Sequence, residues 1–180
     1  SARVQMARQQ HHQANHDALT GLDNRASFHE RLERALAQAR PPADLLALLF
    51  IDLDGFKRIN DQQGHQAGDE VLRIVAQRLL RTVREGDTVA RLGGDEFLVM
   101  LDKDVTSLEP ERIGQRIIEA LSQPMIVDGQ NLEIGASIGV AMHPPLPGQL
   151  EVLMNHADQA MYAAKRAGKG RLFCAQAEGN

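Results

Sequence analysis

The sequence predicts a single α/β (α+β) domain with a central, mixed, five-stranded sheet and helices on its faces. Three observations lead to this fold class. Helical and strand-like segments interleave along the 180-residue chain, two hairpins lie among them, and residues 45–53 form a nearly continuous apolar run. Such a run is typical of a central strand that is buried on both faces, and the interleaving places helices against the sheet.

The first half of the chain contains the predicted central strand and the helices around it. Residues 1–16 are polar and rich in Gln and His, which predicts a linker helix suited to a parallel coiled coil. The segments that follow are a turn-rich stretch over 17–25, a helix over 26–40, the strand over 45–53, a short helix over 56–61, a loop over 62–69 and an amphipathic helix over 69–83. Pro41 and Pro42 end the helix that precedes the strand.

The second half contributes the two hairpins and the remaining strands. The predicted elements are hairpin strands over 88–92 and 96–101, a helix over 107–122, a hairpin around Asp128-Gly129, a strand over 132–142, a helix over 149–167 and a short strand over 171–175. We therefore expect a linker helix over 1–16, one domain over 17–175 and a C-terminal tail over 176–180.

Composition restricts the classes of function. The net charge is −4 and the pI about 6.0, so the chain lacks the basic surface that binds nucleic acid, and a bound nucleotide would need a divalent metal to offset its charge. The single Cys174 excludes an intramolecular disulfide and a cysteine zinc site. No apolar run approaches the ~20 residues that span a bilayer. Without an initiator Met or a signal peptide, we expect a cytoplasmic piece of a longer protein, which other segments can anchor to a membrane.

Two pairs of carboxylates follow strand-like runs. Asp52 and Asp54 stand at the carboxyl end of the buried strand and point to one side while strand geometry persists, and Asp95 and Glu96 lie in the hairpin of residues 90–101. If these strands are neighbours, Asp52 and Asp95 converge at one sheet edge, and these two carboxylates with a nearby backbone carbonyl make a hard-oxygen site for Mg²⁺ or Mn²⁺. Gly93 and Gly94 would let a phosphate approach the turn closely. The alternative is two ordinary strand-ending turns, and composition alone leaves both interpretations open.

Four motifs in order resemble the GGDEF family, the diguanylate cyclases. The hairpin GGDEF at 93–97, preceded by Arg91, is similar to the signature of the family. The other three motifs are DALTGLDNR at 17–25, FIDLDGFKRINDQQGHQAGDEVL at 50–72 and ADQAMYAAKRAGKGR at 157–171. The resemblance covers about residues 16–173, and it implies a fold similar to nucleotidyl cyclases and polymerase palms.

The resemblance implies a reaction in which two GTP molecules form cyclic di-GMP and release two pyrophosphates. Each subunit of a transient two-fold homodimer would hold one GTP, with two Mg²⁺ or Mn²⁺ ions per active site. The implied metal ligands are Asp52, Asp95 and the backbone carbonyl of Leu53. The implied catalytic and substrate-binding residues are Asp95, Glu96, Lys57, Asn60, His65, Asp69, Gly93, Gly94, Lys165 and Lys169.

The guanine edge gives Asp69 a physical reason for its implied role. Guanine presents adjacent N1–H and N2–H₂ donors to a carboxylate, whereas adenine presents an acceptor at N1, so we expect GTP to be preferred over ATP. Asp69 could instead cap the helix before Val71, or do both. Without the resemblance, Asn60 and His65 are ordinary loop residues, and the lysines belong to a solvated face.

A second implied site lies just before the hairpin. Arg84 and Asp87 match the RxxD inhibitory motif of the family, where cyclic di-GMP binds, and Arg116 is a further implied contact. An arginine can bond bidentately to a phosphate or a guanine edge. The alternative is a helix end followed by a Gly-Asp turn. One departure is Gly170, where the family more often has Asn, which puts the rigidity of the closing turn in question.

The sequence leaves two further classes of function beside an active, product-inhibited diguanylate cyclase controlled by an N-terminal sensor domain. A GGDEF receptor domain would bind GTP or cyclic di-GMP without turnover. Gly93, Gly94, Asp95, Glu96, Asp52 and Lys57 argue against this, because degenerate members usually lose hairpin residues. A mononucleotide cyclase would form a 3′,5′-cyclic product, and the hairpin and the RxxD motif favour the two-GTP product instead.

Overall fold

The computed structural model describes residues 14–177, so residues 1–13 of the predicted linker helix and residues 178–180 of the predicted tail lie outside the described residues. The helices are α1 (Arg25–Gln38), α2 (Phe56–Gln63), α3 (His65–Thr82), α4 (Glu109–Leu121) and α5 (Leu150–Arg166). The strands are β1 (Leu46–Asp54), β2 (Thr88–Gly93), β3 (Glu96–Leu101), β4 (Met125–Val127), β5 (Gln130–Leu132), β6 (Gly135–His143) and β7 (Leu172–Cys174).

The predicted mixed five-stranded sheet is confirmed. Its strand order is β2-β3-β1-β6-β7, with β1 antiparallel to both β3 and β6 and with β6 parallel to β7. The predicted hairpin around Asp128-Gly129 forms a separate two-stranded ribbon of β4 and β5. Strand β1 therefore lies at the centre, as its apolar sequence predicts.

The alternating faces of β1 separate the core into two halves. Leu49 and Ile51 belong to the cluster that α3 and α4 cover, whereas Leu48 and Phe50 belong to the cluster that α1 and α5 cover. Because side chains alternate along a strand, the even-numbered Asp52 continues the α1/α5 face to the carboxyl end of the strand. Asp52 and Asp54 are thus placed at the edge of a fully packed layer.

The loop predicted over 62–69 is wrong. Helix α2 continues to Gln63 and α3 begins at His65, so that only Gly64, with φ of 90°, separates the two helices. Asp69 therefore lies inside α3, and the residue at the N-cap is Gly64, which overturns the alternative of a capping role for Asp69. Polar residues hid the helix, because the first turn of α3 is exposed and only Ala67 and Gly68 turn inward.

The strand predicted over 132–142 also requires correction. The apolar run is divided, because Leu132 ends the ribbon strand β5 and the central-sheet strand β6 begins at Gly135.

Within residues 14–177, no helix has the length and apolar character needed to cross a bilayer.

Candidate active site

Strand β1 and the β2–β3 hairpin bring the predicted carboxylates together. In the register of the sheet, Asp52 of β1 stands opposite Glu96 of β3 on one side and Ser137 of β6 on the other. The backbone N–H of Leu53 donates to the backbone carbonyl of Asp95 at 3.2 Å, which joins the end of β1 to the hairpin turn. The convergence predicted for these acids is therefore present at the carboxyl end of β1.

The hairpin turn that carries Asp95 depends on its two glycines and on Arg91. Gly93 and Gly94 have φ of 142° and 51°, a region that L side chains rarely adopt. The Arg91 guanidinium donates twice to the Gly94 carbonyl, at 3.0 and 2.9 Å, and pairs with Asp17 at 3.0 Å. The opening motif and the GGDEF hairpin therefore form one braced unit, a contact that reading each motif separately did not reveal.

Among residues 14–177, a single ammonium group pairs with the acids of β1. Lys165 Nζ of α5 lies 3.4 Å from Asp52 Oδ1, 3.2 Å from Asp54 Oδ1 and 3.4 Å from the Leu53 carbonyl oxygen. Asp52 Oδ1 is nevertheless buried and accepts no hydrogen bond from the described residues. The local negative charge is thus only partly compensated by the protein itself.

The pKa values record that imbalance. Burial, reinforced by the charge of Asp95 and opposed by Lys165, raises the pKa of Asp52 from 3.8 to about 7. Burial and the nearby charge of Asp158 also raise the pKa of Glu96. Buried like charges disfavour ionisation, and a cation in the site would favour it. Perturbed carboxylates at a strand end are typical of functional sites.

The donor set fits a divalent metal with hard-oxygen preference. Within residues 14–177, no group of three His, Cys, Asp or Glu side chains is arranged to hold a metal. The available donors are instead the carboxylates of Asp52 and Asp95 and the backbone carbonyl of Leu53. Oxygen donors with an only partly compensated carboxylate suit Mg²⁺ or Mn²⁺, which keep waters and substrate phosphates as their remaining ligands.

The residues predicted to bind the guanine base lie on α2 and α3. A Cβ atom at Gly68 would overlap Oδ1 of Asn60, so the missing side chain at 68 makes room for the Asn60 amide beside α3. Asp69 follows Gly68 directly and is exposed, as is His65 in the first turn of the same helix. Sequence reasoning missed Gly68, although a glycine inside an amphipathic helix is itself a signal of close approach.

The two other lysines that are predicted to bind phosphate are exposed at helix ends. Lys57 lies in the first turn of α2, directly after β1. Lys169 lies in the turn after α5 with φ of 64°, and Gly170, with φ of 61°, follows it. A left-handed residue at 170 suits Gly or Asn, and the Gly170 N–H donates to Asp54 Oδ2 at 2.9 Å. The turn is therefore braced through the Gly170 backbone amide, although residue 170 has no side chain.

The RxxD residues form a closed group of intramolecular contacts. The Asp87 side chain is only 2% exposed and accepts the backbone N–H of Arg84 at 2.8 Å. The Arg84 guanidinium pairs with Glu109 at 3.1 Å and donates to the Lys103 carbonyl at 2.9 Å. Burial raises the pKa of Asp87, which the Arg84 contacts partly offset. Arg116 is exposed two helical turns after Glu109 on the same side of α4.

Fold and site together define a class of protein. A mixed-sheet domain that presents paired carboxylates, a glycine turn and lysines at the end of its central strand is suited to a nucleoside triphosphate with a divalent metal.

Comparison with known proteins identifies the family. The family described as diguanylate cyclase, GGDEF domain, matches residues 14–171, and the chain belongs to this family. It is 46% identical over 160 residues to the diguanylate cyclase TpbB of Pseudomonas aeruginosa, covering 88% of this chain and 37% of TpbB. The chain thus spans little more than a third of the length of that relative.

Solved structures agree with this assignment. A truncated TpbB (YfiN) of Pseudomonas aeruginosa that comprises only the GGDEF domain superposes with a TM-score of 0.86 at 44% identity, covering 89% of this chain and 94% of that one. The coiled coil and GGDEF domain of DgcB from Caulobacter crescentus, solved in complex with c-di-GMP, superposes with a TM-score of 0.84 at 33% identity, covering 97% of this chain and 94% of that one.

Proposed function

We propose that this chain is a metal-dependent diguanylate cyclase domain that condenses two GTP molecules into cyclic di-GMP. The observation that carries the proposal is the buried Asp52 Oδ1, which accepts no hydrogen bond from the described residues beside Asp95, Glu96 and a single lysine. A receptor domain that binds only cyclic di-GMP has no need to maintain so costly a charge arrangement, whereas a site that binds metal and triphosphate requires it. Turnover separates a cyclase from a receptor that binds GTP.

The metal ions would be held by Asp52, Asp95 and the Leu53 carbonyl, two ions per site. When bound, they would neutralise phosphate charge and favour loss of the proton from the attacking hydroxyl. The chain's own residues hold the nucleotide. Lys165 lies within reach of the same acids, and Lys57 and Lys169 stand exposed at the neighbouring helix ends to neutralise the β- and γ-phosphates.

The base would lie between α2 and α3. Asp69 would accept the N1–H and N2–H₂ donors of guanine, and Asn60, seated against Gly68, would contact the same edge, with His65 on the same helix end. A site built for these donors leaves polar groups unpaired when adenine binds, and this gives the preference for GTP.

The reaction requires two copies of the domain related by a two-fold axis. The 3′-oxygen of each GTP forms a bond to the α-phosphorus of the other, and the bond from that phosphorus to pyrophosphate breaks. The proton of each hydroxyl passes to a carboxylate of the hairpin, Asp95 or Glu96, and then to solvent. Because burial raises the pKa of Glu96, its carboxylate accepts a proton more readily than an ordinary glutamate.

The product would bind at Arg84, Asp87 and Arg116 and inhibit turnover. Arg84 must exchange its contacts with Glu109 and Lys103 for the acceptors of cyclic di-GMP. A sensor domain that precedes this segment in the full-length protein would control dimerisation. Because GTP is the proposed substrate, we expect the reaction to take place in the cytoplasm.

An Asp95→Ala variant tests the proposal. The residue lies in a turn between β2 and β3, and its charge disfavours ionised Asp52, so we expect the variant to fold with a melting temperature no lower than that of wild type and to form no cyclic di-GMP from GTP and Mg²⁺. The matched control is Asp104→Ala, an exposed acid in another loop, which should retain wild-type turnover. Full activity of Asp95→Ala would refute the assigned metal site.

A further inference from the structure

Asp54 is the one acid of β1 that sequence reasoning left without a role. It lies two residues after Asp52 on the same face of the strand and is 10% exposed. We propose that Asp54 is a positioning residue, which fixes Lys165 and the turn that carries Lys169 so that both ammonium groups meet the triphosphate. The inference rests on the proposed function, because it concerns how the same nucleotide is held.

The Asp54 carboxylate is engaged on both oxygens. Oδ1 accepts from the Ser137 hydroxyl at 2.9 Å and pairs with Lys165 Nζ at 3.2 Å. Oδ2 lies 3.0 Å from the same hydroxyl and accepts the Gly170 N–H at 2.9 Å. Three elements therefore meet at one side chain, namely β6, α5 and the turn that follows α5.

This arrangement separates Asp54 from Asp52. Asp52 Oδ1 is buried and has only the Lys165 ammonium beside it, at 3.4 Å, whereas the Asp54 oxygens accept from a hydroxyl and an amide and share the same ammonium at 3.2 Å. A carboxylate whose lone pairs already accept from protein donors is not free to ligate a metal without releasing them. The two acids on this face of β1 therefore have different roles. Asp52 is available to bind a metal, and Asp54 is bonded to other residues of the protein.

The closing turn explains why such an anchor is needed. Residues 168–170 all have positive φ, at 126°, 64° and 61°, so the chain leaves helical geometry over three residues. Asp54 bonds the Gly170 amide, next to the residue whose side chain must reach phosphate. Fixing that amide limits the positions that Lys169 can take and so reduces the entropy lost when a triphosphate binds.

A double-mutant cycle on nucleotide binding tests the inference. The probe is a GTP analogue with a methylene group between the α- and β-phosphorus, titrated with Mg²⁺ present. A charge-assisted contact is worth enough that Asp54→Asn and Lys165→Met should each weaken binding about tenfold. If Asp54 acts through Lys165, the double variant should bind far more tightly than the roughly hundredfold loss that independent sites would give.

A second readout distinguishes positioning from metal ligation. Mn²⁺ binding in the absence of nucleotide should stay within about twofold of wild type in Asp54→Asn and fall at least tenfold in Asp52→Asn. Asp61→Asn, an exposed acid on α2, is the matched control and should change neither quantity. Additive losses in the cycle, or a fall in Mn²⁺ affinity with Asp54→Asn, would overturn the inference.

Two further measurements separate the role of Asp54 from a folding defect and from the proposed reaction. Should Asp54→Asn fail to fold, Ser137→Ala keeps the carboxylate but removes one of its partners, and unchanged analogue affinity in that variant would overturn the inference. A wild-type protein that binds the analogue yet makes no cyclic di-GMP would refute the proposed reaction while the cycle still decides the role of Asp54. A wild type that does not bind the analogue would refute both.

Discussion

Removing the charge of Asp52 should stabilise the domain when no metal is present. The carboxylate is half-buried beside Asp95 and Glu96, with its Oδ1 enclosed, and these surroundings raise its pKa from 3.8 to about 7. In Asp52→Asn the side chain keeps its shape and loses the charge, so the cost of burying an ionised group disappears. The expected sign is unusual, because most point substitutions lower the free energy of unfolding.

The magnitude follows from the two pKa values. A pKa of about 7 in the folded state against 3.8 in the unfolded state corresponds to ~4 kcal/mol as an upper limit. The loss of the Lys165 ion pair and the entry of water reduce this, so we expect a gain of about 1–2 kcal/mol and a melting temperature higher by about 3–6 °C.

The pH dependence follows from the same comparison. Between pH 4 and pH 7 the folded state binds a proton at Asp52 that the unfolded state has released, so wild-type stability falls as pH rises through that window. The advantage of Asp52→Asn should therefore be complete at pH 8 and small at pH 4. Thermal unfolding of both proteins in EDTA across this range measures it.

Magnesium should make the wild type more stable than Asp52→Asn. At a Mg²⁺ concentration one hundred times its dissociation constant, binding stabilises the wild type by about 2.7 kcal/mol, and Asp52→Asn gains little. If Asp52→Asn is less stable than wild type at pH 8 in EDTA, the charge at Asp52 is compensated within the protein and the reasoning is refuted.

Three other contacts give separate predictions. Gly68→Ala places a methyl group against the Asn60 amide, so GTP affinity should fall about tenfold by calorimetry, with the melting temperature within 3 °C of wild type; unchanged affinity would remove Asn60 from the base site. Glu109→Gln frees Arg84 from its ion pair, so cyclic di-GMP should inhibit at a concentration several-fold lower, and an equal or higher inhibition constant would contradict the assignment. Arg78 donates to the carbonyls of Ala120, Gln123 and Pro124, so Arg78→Ala should lower the free energy of unfolding in urea by about 2–4 kcal/mol, and a loss below 0.5 kcal/mol would show that water replaces these bonds.

Local signals were sufficient to predict the parts of the site that neighbouring residues create. The apolar run of β1 and the glycine hairpin identify two strands that end in acids, and their adjacency follows from the antiparallel register that sets Asp52 opposite Glu96. The predicted sheet and most helices are confirmed for the same reason, since periodicity is a property of a short segment.

Contacts between distant segments could not be predicted in this way. The partners of Asp54 lie 83 residues away at Ser137 and 116 away at Gly170, and no local pattern encodes either distance. The same holds for Glu109 beside Arg84, which converts a turn motif into a closed ion-pair group. The loop predicted over 62–69 was wrong because polar residues in the exposed first turn of α3 conceal its period.

Product analysis tests the central claim most directly. The protein is incubated with GTP and Mg²⁺ at several protein concentrations, and the nucleotides are resolved by chromatography. We predict cyclic di-GMP and pyrophosphate in a ratio of one to two, with specific activity that rises with protein concentration because each active dimer holds two GTP molecules. Bound GTP without product at every concentration would contradict the account and establish a receptor domain, and a 3′,5′-cyclic mononucleotide would establish a different cyclase.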